Sequence, residues 1–84
     1  MTAHLPPHSL AGTRLLITGA AGGVGLACAR LCGDLGAELI LTDLQITPAL
    51  TALVDTLPRV LAVQACDVSQ RQQVEALVRQ HPAI

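Results

Sequence analysis

Apolar residues along this chain gather alternately into short continuous runs and into stripes with helical spacing. Leu15-Leu16-Ile17 is continuous and predicts a buried strand over 14–18. Val24, Cys28, Leu31 and Leu35 then recur at helical spacing and predict a helix over 24–35, closed by Gly36 as a left-handed cap. Leu39-Ile40-Leu41 predicts a second strand over 38–43. Thr47-Pro48 reads as an N-cap with proline at the first helical position. Leu50, Leu53, Val54 and Leu57 follow at i, i+3, i+4 and i+7, and Pro58 stops that helix. A third strand is predicted over 60–66. Ser69 with Gln72 then forms a capping box for a third helix, which turns Val74, Leu77 and Val78 inward and a Glu75–Arg79 pair outward before Pro82.

Continuous apolar strands alternating with helices imply an α/β fold with a parallel sheet covered on both faces. Right-handed crossovers place the strands in the order 3-2-1, one half of a doubly wound sheet. Strand one is then an edge within this chain, although it would be central in a complete domain. Residues 1–13, with Pro6-Pro7, are expected to be a flexible arm.

Composition narrows the picture. The chain has 84 residues, 51% of them hydrophobic, so it is one small domain or part of a larger one. It contains no Phe, Tyr or Trp, which leaves the core to Leu, Val, Ile and Ala. The net charge is −1 and the arginines at 14, 30, 59, 71 and 79 are scattered, so neither nucleic acid nor a membrane is an expected partner. The odd cysteine count (Cys28, Cys32, Cys66) fits a reducing, cytoplasmic compartment rather than a disulfide framework. Cys28 and Cys32 are spaced to share a metal, but no further ligand lies near them in sequence. Packing against the sheet is the expectation, and no metal site is assigned. His4, His8 and His81 are expected to be solvated.

The stretch Thr18-Gly19-Ala20-Ala21-Gly22-Gly23-Val24-Gly25 carries the chemistry. It follows a strand and opens a helix, so backbone N–H groups and the positive helix end converge where a dinucleotide pyrophosphate can sit. Gly19 allows the sharp exit from the strand, Gly22 or Gly23 the approach of the phosphates, and Gly25 the contact of helix with strand. Asp43 ends the second strand 18 residues after Gly25, near the spacing of about 20 at which an acid accepts from adenosine ribose hydroxyls. A plain strand–helix turn followed by an exposed Asp is the ordinary alternative. A phosphate-binding P-loop needs a lysine, and the chain has none. The fold expected for residues 14–84 is therefore the N-terminal, incomplete part of a dinucleotide-binding Rossmann-type domain, βαβαβα.

On these residues the sequence resembles the short-chain dehydrogenase/reductase family. The resemblance runs from about Leu10 to the end. It rests on Thr18-Gly19-x-x-x-Gly23-x-Gly25, Gly36-Ala37, Leu41-Thr42-Asp43 and Cys66-Asp67-Val68-Ser69. Gly22 also completes the Thr-Gly-x-x-Gly-x-x-Gly spelling of the extended, epimerase-like branch. Gly25-Leu26-Ala27 and Asp67-Val68-Ser69 look more like the classical one. The resemblance implies that Gly19, Ala21, Gly22, Gly23, Val24 and Gly25 contact the pyrophosphate and adenosine ribose. Asp43 would hold the ribose hydroxyls with Leu44 beside it, and Asp67 and Val68 would contact the adenine. It further implies NAD as cofactor and a small alcohol or carbonyl substrate for the parent enzyme, and it leaves a homo-oligomer open, since the sequence does not fix the oligomeric state.

The departures are as informative. The family's catalytic Tyr-x-x-x-Lys pair and its Asn-Asn-Ala-Gly segment cannot occur in a chain without Tyr, Lys or Asn. No catalytic residue is assigned, and the 84 residues alone are expected to be inactive. Two functions follow. One is the NAD-binding portion of an NAD(H)-dependent oxidoreductase. The other is a non-catalytic nucleotide-binding module. The coding sequence beyond Ile84 discriminates them.

Overall fold

The computed structural model describes residues 9–81. Six elements alternate through them: β1 (Arg14–Ile17), α1 (Gly23–Asp34), β2 (Glu38–Asp43), α2 (Pro48–Val54), β3 (Val60–Ala65) and α3 (Arg71–Gln80). The three strands form one parallel sheet with β2 in the middle, the expected 3-2-1 order. β1 pairs from Arg14↔Glu38 to Ile17↔Leu41. The β2–β3 ladder skips one residue. Leu39 faces Val60 but Ile40 faces Ala62, so Leu61 is an extra, bulged residue.

The middle strand shows why this sequence folds as it does. Leu39, Ile40, Leu41 and Thr42 are all fully buried, alternating between the two faces of the sheet. On one face Leu39 and Leu41 pack with Leu15, Ile17 and Val63 under α1 and α2, through Ala29, Leu50 and Leu53. On the other, Ile40 packs with Leu16, Ala62 and Cys66 under Leu77 of α3. Each large apolar side chain buried this way contributes about 1.5–3 kcal/mol. Thr42, the one buried polar side chain among the described residues, donates its hydroxyl to the Ile17 carbonyl at 3.4 Å.

Local signals set the element ends. Gly36 has φ +97°, and the Gly36 and Ala37 N–H groups donate to the Gly33 and Cys32 carbonyls, a Schellman closure of α1. Thr47 Oγ1 accepts from the Leu50 N–H at 3.2 Å and caps α2 ahead of Pro48. The helix ends at Val54, short of the expected Leu57, whose side chain still packs on the core.

Several expectations are corrected. The stripe Val24, Cys28, Leu31 does not face the sheet. Val24 is 81% and Leu31 60% exposed, and Cys28 is exposed as well. The inward face carries Leu26, Ala29, Cys32 and Gly33 instead. The helix is apolar nearly all round, and its smaller side allows the closer approach. The capping box is absent. α3 starts after Gln70 without a side-chain cap, because Ser69 is engaged with Asp67. Glu75 has an arginine four residues away on either side and pairs with Arg71 at 2.9 Å rather than with Arg79. Val78 is 47% exposed, although Leu77 is buried as expected. His81 is half-buried, and its Nε2 is buried without a hydrogen-bond partner among the described residues, so it is not solvated. His4, His8, Pro82 and most of the expected arm lie outside the described residues. From Ser9 the chain is tied down: the Leu10 N–H donates to the Leu35 carbonyl at 2.8 Å and Leu10 packs on the core.

The outer edge of β1 pairs with no strand among the described residues. An open apolar parallel edge is a template for association. Residues 1–84 expressed alone are expected to self-associate through β1 or to exchange its outward amides rapidly. Size-exclusion chromatography with amide hydrogen exchange checks this. A monomer with slow exchange throughout Arg14–Ile17 would contradict it.

Candidate functional site

The loops leaving the three strands lie at one end of the sheet. The first is the glycine-rich turn. Gly19 adopts φ +67°, which turns the chain sharply out of β1. Its carbonyl accepts from the Gly22 N–H at 3.2 Å. Gly22 is the extended N-cap of α1, and its carbonyl accepts the first helical bond, from the Leu26 N–H. The N–H groups of Gly23, Val24 and Gly25 have no hydrogen-bond partner among the described residues. No acidic side chain occupies the first turn of α1. Free donors and the positive end of the helix dipole together suit an anion.

The glycines of this turn do different work. A Cβ on Gly25 would overlap the Gly19 carbonyl oxygen and lie 2.8 Å from the Ala20 Cα, so only glycine allows α1 to sit there. A Cβ on Gly23 would meet nothing within 4 Å. No protein atom requires glycine at Gly23, which leaves its outer side open for a bound group.

Asp43 closes β2 beside this turn. Its Oδ2 accepts from the Ala21 N–H at 2.9 Å and its Oδ1 from the Leu44 N–H at 2.7 Å. The Ala20 N–H donates to the Thr42 carbonyl at 2.9 Å, which brings the turn against the end of β2. A cleft of about 360 Å³ opens here, lined by Ala21, Gly22, Asp43, Leu44, Gln45 and Thr47. It holds one carboxylate and no cationic side chain. Leu44 is 65% exposed at its rim. A larger groove of about 580 Å³ runs between α1 and α2, but Arg30 is its only charged lining residue and none of the expected site residues reaches it.

Asp67 and Val68 follow β3 and do not line the cleft. They are held next to it by the Cys66 N–H, which donates to the Asp43 carbonyl at 2.8 Å. Asp67 Oδ1 accepts from the Ser69 hydroxyl at 2.6 Å and from the Ser69 N–H at 3.0 Å. These bonds, the hydroxyl first, hold the Asp67 carboxyl below the ordinary aspartate range, against a smaller upward push from burial. The Asp67 N–H donates to Gln73 Oε1 at 2.8 Å. Val68 is 56% exposed.

The structure thus brings Ala21, Gly22, Asp43 and Leu44 into one cleft. It sets Gly19, Gly23, Val24 and Gly25 along the turn at its side, and Asp67 and Val68 on the neighbouring loop. Sequence reasoning missed Gln45 and Gln73. Gln45 had no signal, and Gln73 sits six residues after the N–H it accepts from, a spacing no capping motif describes. Thr47 was legible only as a helix cap. Cys28 and Cys32 take part in no metal cluster among the described residues, and no disulfide forms.

A family model described as Enoyl-(Acyl carrier protein) reductase matches residues 19–83. The crystal structure of a short-chain type dehydrogenase/reductase from Mycobacterium marinum superposes with a TM-score of 0.72 at 30% identity, over 86% of this chain. The chain belongs to the short-chain dehydrogenase/reductase family. A hydroxysteroid dehydrogenase from Escherichia coli superposes at a TM-score of 0.74 with 28% identity, again over 86% of this chain. Both are among 254 solved chains that match. The chain spans 30% of the length of each of these two structures. No curated protein matches it in sequence.

Two outcomes are expected from this geometry. Gly25→Val overpacks the contact of α1 with Gly19 and lowers stability by about 1–3 kcal/mol or more, read from denaturant unfolding midpoints. Ser69→Ala removes the shortest bond to the Asp67 carboxylate and raises its pKa towards the ordinary value, read by carboxyl 13C NMR titration. Because the folded pKa is the depressed one, Asp67's contribution to stability is present above the ordinary aspartate pKa. It is lost as pH falls through the lowered value, and the variant narrows that window.

Proposed function

We propose that this segment is the NAD(H)-binding portion of an oxidoreductase that moves a hydride between the cofactor and a small alcohol or carbonyl compound. The observation that carries the reading is the cleft at the end of β2. A carboxylate stands beside a glycine turn with free N–H donors, and no cation is present. The family membership supports the reaction class.

In this reading the N–H groups of Gly23, Val24 and Gly25 and the backbone of Gly19, Ala21 and Gly22 receive the pyrophosphate. Neutral backbone donors replace the lysine that a P-loop would use. Asp43 accepts from the adenosine ribose hydroxyls through the lone pairs its two backbone bonds leave unused. Leu44, which lines the same cleft, would sit beside the ribose. The Asp67 side chain, whose Oδ2 the Ser69 bonds leave uncommitted, and the Val68 backbone would contact the adenine ring. The bound nicotinamide supplies the hydride. This chain's residues bind and orient the cofactor. The family's proton-transferring Tyr-x-x-x-Lys pair cannot lie within these 84 residues, so no proton-transfer role is given to them in this reading. The unpaired cysteines fit a cytoplasmic protein. No helix of the described residues is long and apolar enough to cross a membrane.

The cleft predicts the choice of cofactor. A 2′-phosphate would meet the Asp43 carboxylate and find no arginine or lysine among the lining residues. The protein is expected to prefer NAD(H) over NADP(H) by at least about tenfold in kcat/KM. Asp43→Ala with Leu44→Arg narrows or reverses the ratio. A wild-type preference for NADP(H) would sink the assignment.

A further inference from the structure

The cleft reading gives Asp43 one task, to accept from ribose hydroxyls. The contacts of its carboxylate point to another. We infer that Asp43 is also the positioning residue of the glycine-rich turn. By latching the Ala21 N–H it sets the backbone that the pyrophosphate meets, so selection at the ribose and binding at the phosphates form one coupled property. The inference deepens the NAD(H)-binding reading and rests on it.

The turn has little to hold it from within. Its one internal backbone bond before the helix is Gly22 N–H to the Gly19 carbonyl, at 3.2 Å. Glycines at four of its eight positions leave the chain wide conformational freedom. What fixes the turn comes from β2. The Ala20 N–H donates to the Thr42 carbonyl, and the Ala21 N–H donates to Asp43 Oδ2 across a separation of 22 residues. The first is a main-chain bond that no side chain supplies. The second is the only side-chain hydrogen bond to the turn among the described residues.

The latch is itself aimed. Oδ1 is held by the Leu44 N–H at 2.7 Å, so the carboxylate cannot rotate away from Ala21 without breaking a second bond. Bonds to a charged acceptor are the stronger class. A side chain without an acceptor at this position would leave the part-buried Ala21 N–H unpaired and the turn free to sample other conformations. An asparagine loses the charge but keeps one acceptor oxygen. Asn and Ala therefore relieve repulsion of a 2′-phosphate alike, and differ in whether they can hold the turn.

Two measurements on the protein that carries this chain decide the matter. The first is amide hydrogen exchange at Ala21 in the cofactor-free protein. Asp43→Ala is expected to accelerate it about tenfold, with Asp43→Asn in between. Unchanged exchange in both variants would overturn the latch. This arm uses no nucleotide, so it stands or falls apart from the cofactor reading, which fails instead if the wild type binds no NAD(H). The second is NADP(H) affinity in a Leu44→Arg background. If Asp43 only selects at the ribose, Asp43→Ala binds NADP(H) as well as Asp43→Asn does, or better. If it also positions the turn, Asp43→Asn binds about fivefold or more tightly than Asp43→Ala.

Discussion

The site depends on how closely α1 approaches the end of β1. The absence of a side chain at Gly25 lets the helix rest on the Gly19 carbonyl and the Ala20 backbone, where any Cβ would overlap. Much follows from that contact. Ala20 becomes fully buried, the side of α1 bearing Ala29 and Gly33 turns to the sheet, and the first N–H groups of the helix are held at the mouth of the turn. Farther along the helix Gly33 leaves room for the tip of the Leu57 side chain, a softer constraint than the backbone contact at Gly25. A Cβ on Gly33 would lie 2.8 Å from Leu57 Cδ2. Interiors pack at crystal-like density, so this fit is set by fractions of an ångström.

The same contact explains where the sequence could be read and where it could not. β2 was legible to the residue, because the short continuous run Leu39-Ile40-Leu41, bounded by Glu38 and Asp43 and alternating with helical stripes, fits a strand buried on both faces. The Gly36 cap and the Thr47-Pro48 entry were legible because each meets a local backbone need. The buried face of α1 was not. A helix with apolar residues on nearly every side has no dominant periodicity, and the larger side chains at Val24 and Leu31 form a stripe that is not the buried one. Close approach to a sheet selected the smaller one.

The candidate site was legible in outline. Spacing alone paired the glycine turn with Asp43, and β2 delivers that residue beside Ala21. Side-chain to backbone bonds between loops were the illegible part. Asp67 with Ser69, and Gln73 reaching back six residues, form a local network that shifts the start of α3 and replaces the expected capping box. Such bonds compete with helix capping on nearly equal terms, and no periodicity records which of them wins.

The extra residue at Leu61 makes the two borders of the sheet unlike. A bulge bends its strand, raises the local twist and breaks the even ladder that an incoming chain would copy. β1 is a run of four residues in unbroken register with β2, and has no such defect. The sheet is therefore polarised as a template. Among the described residues it presents a regular edge on the β1 side and a bulged one on the β3 side, so the β1 side is the better template for an added strand.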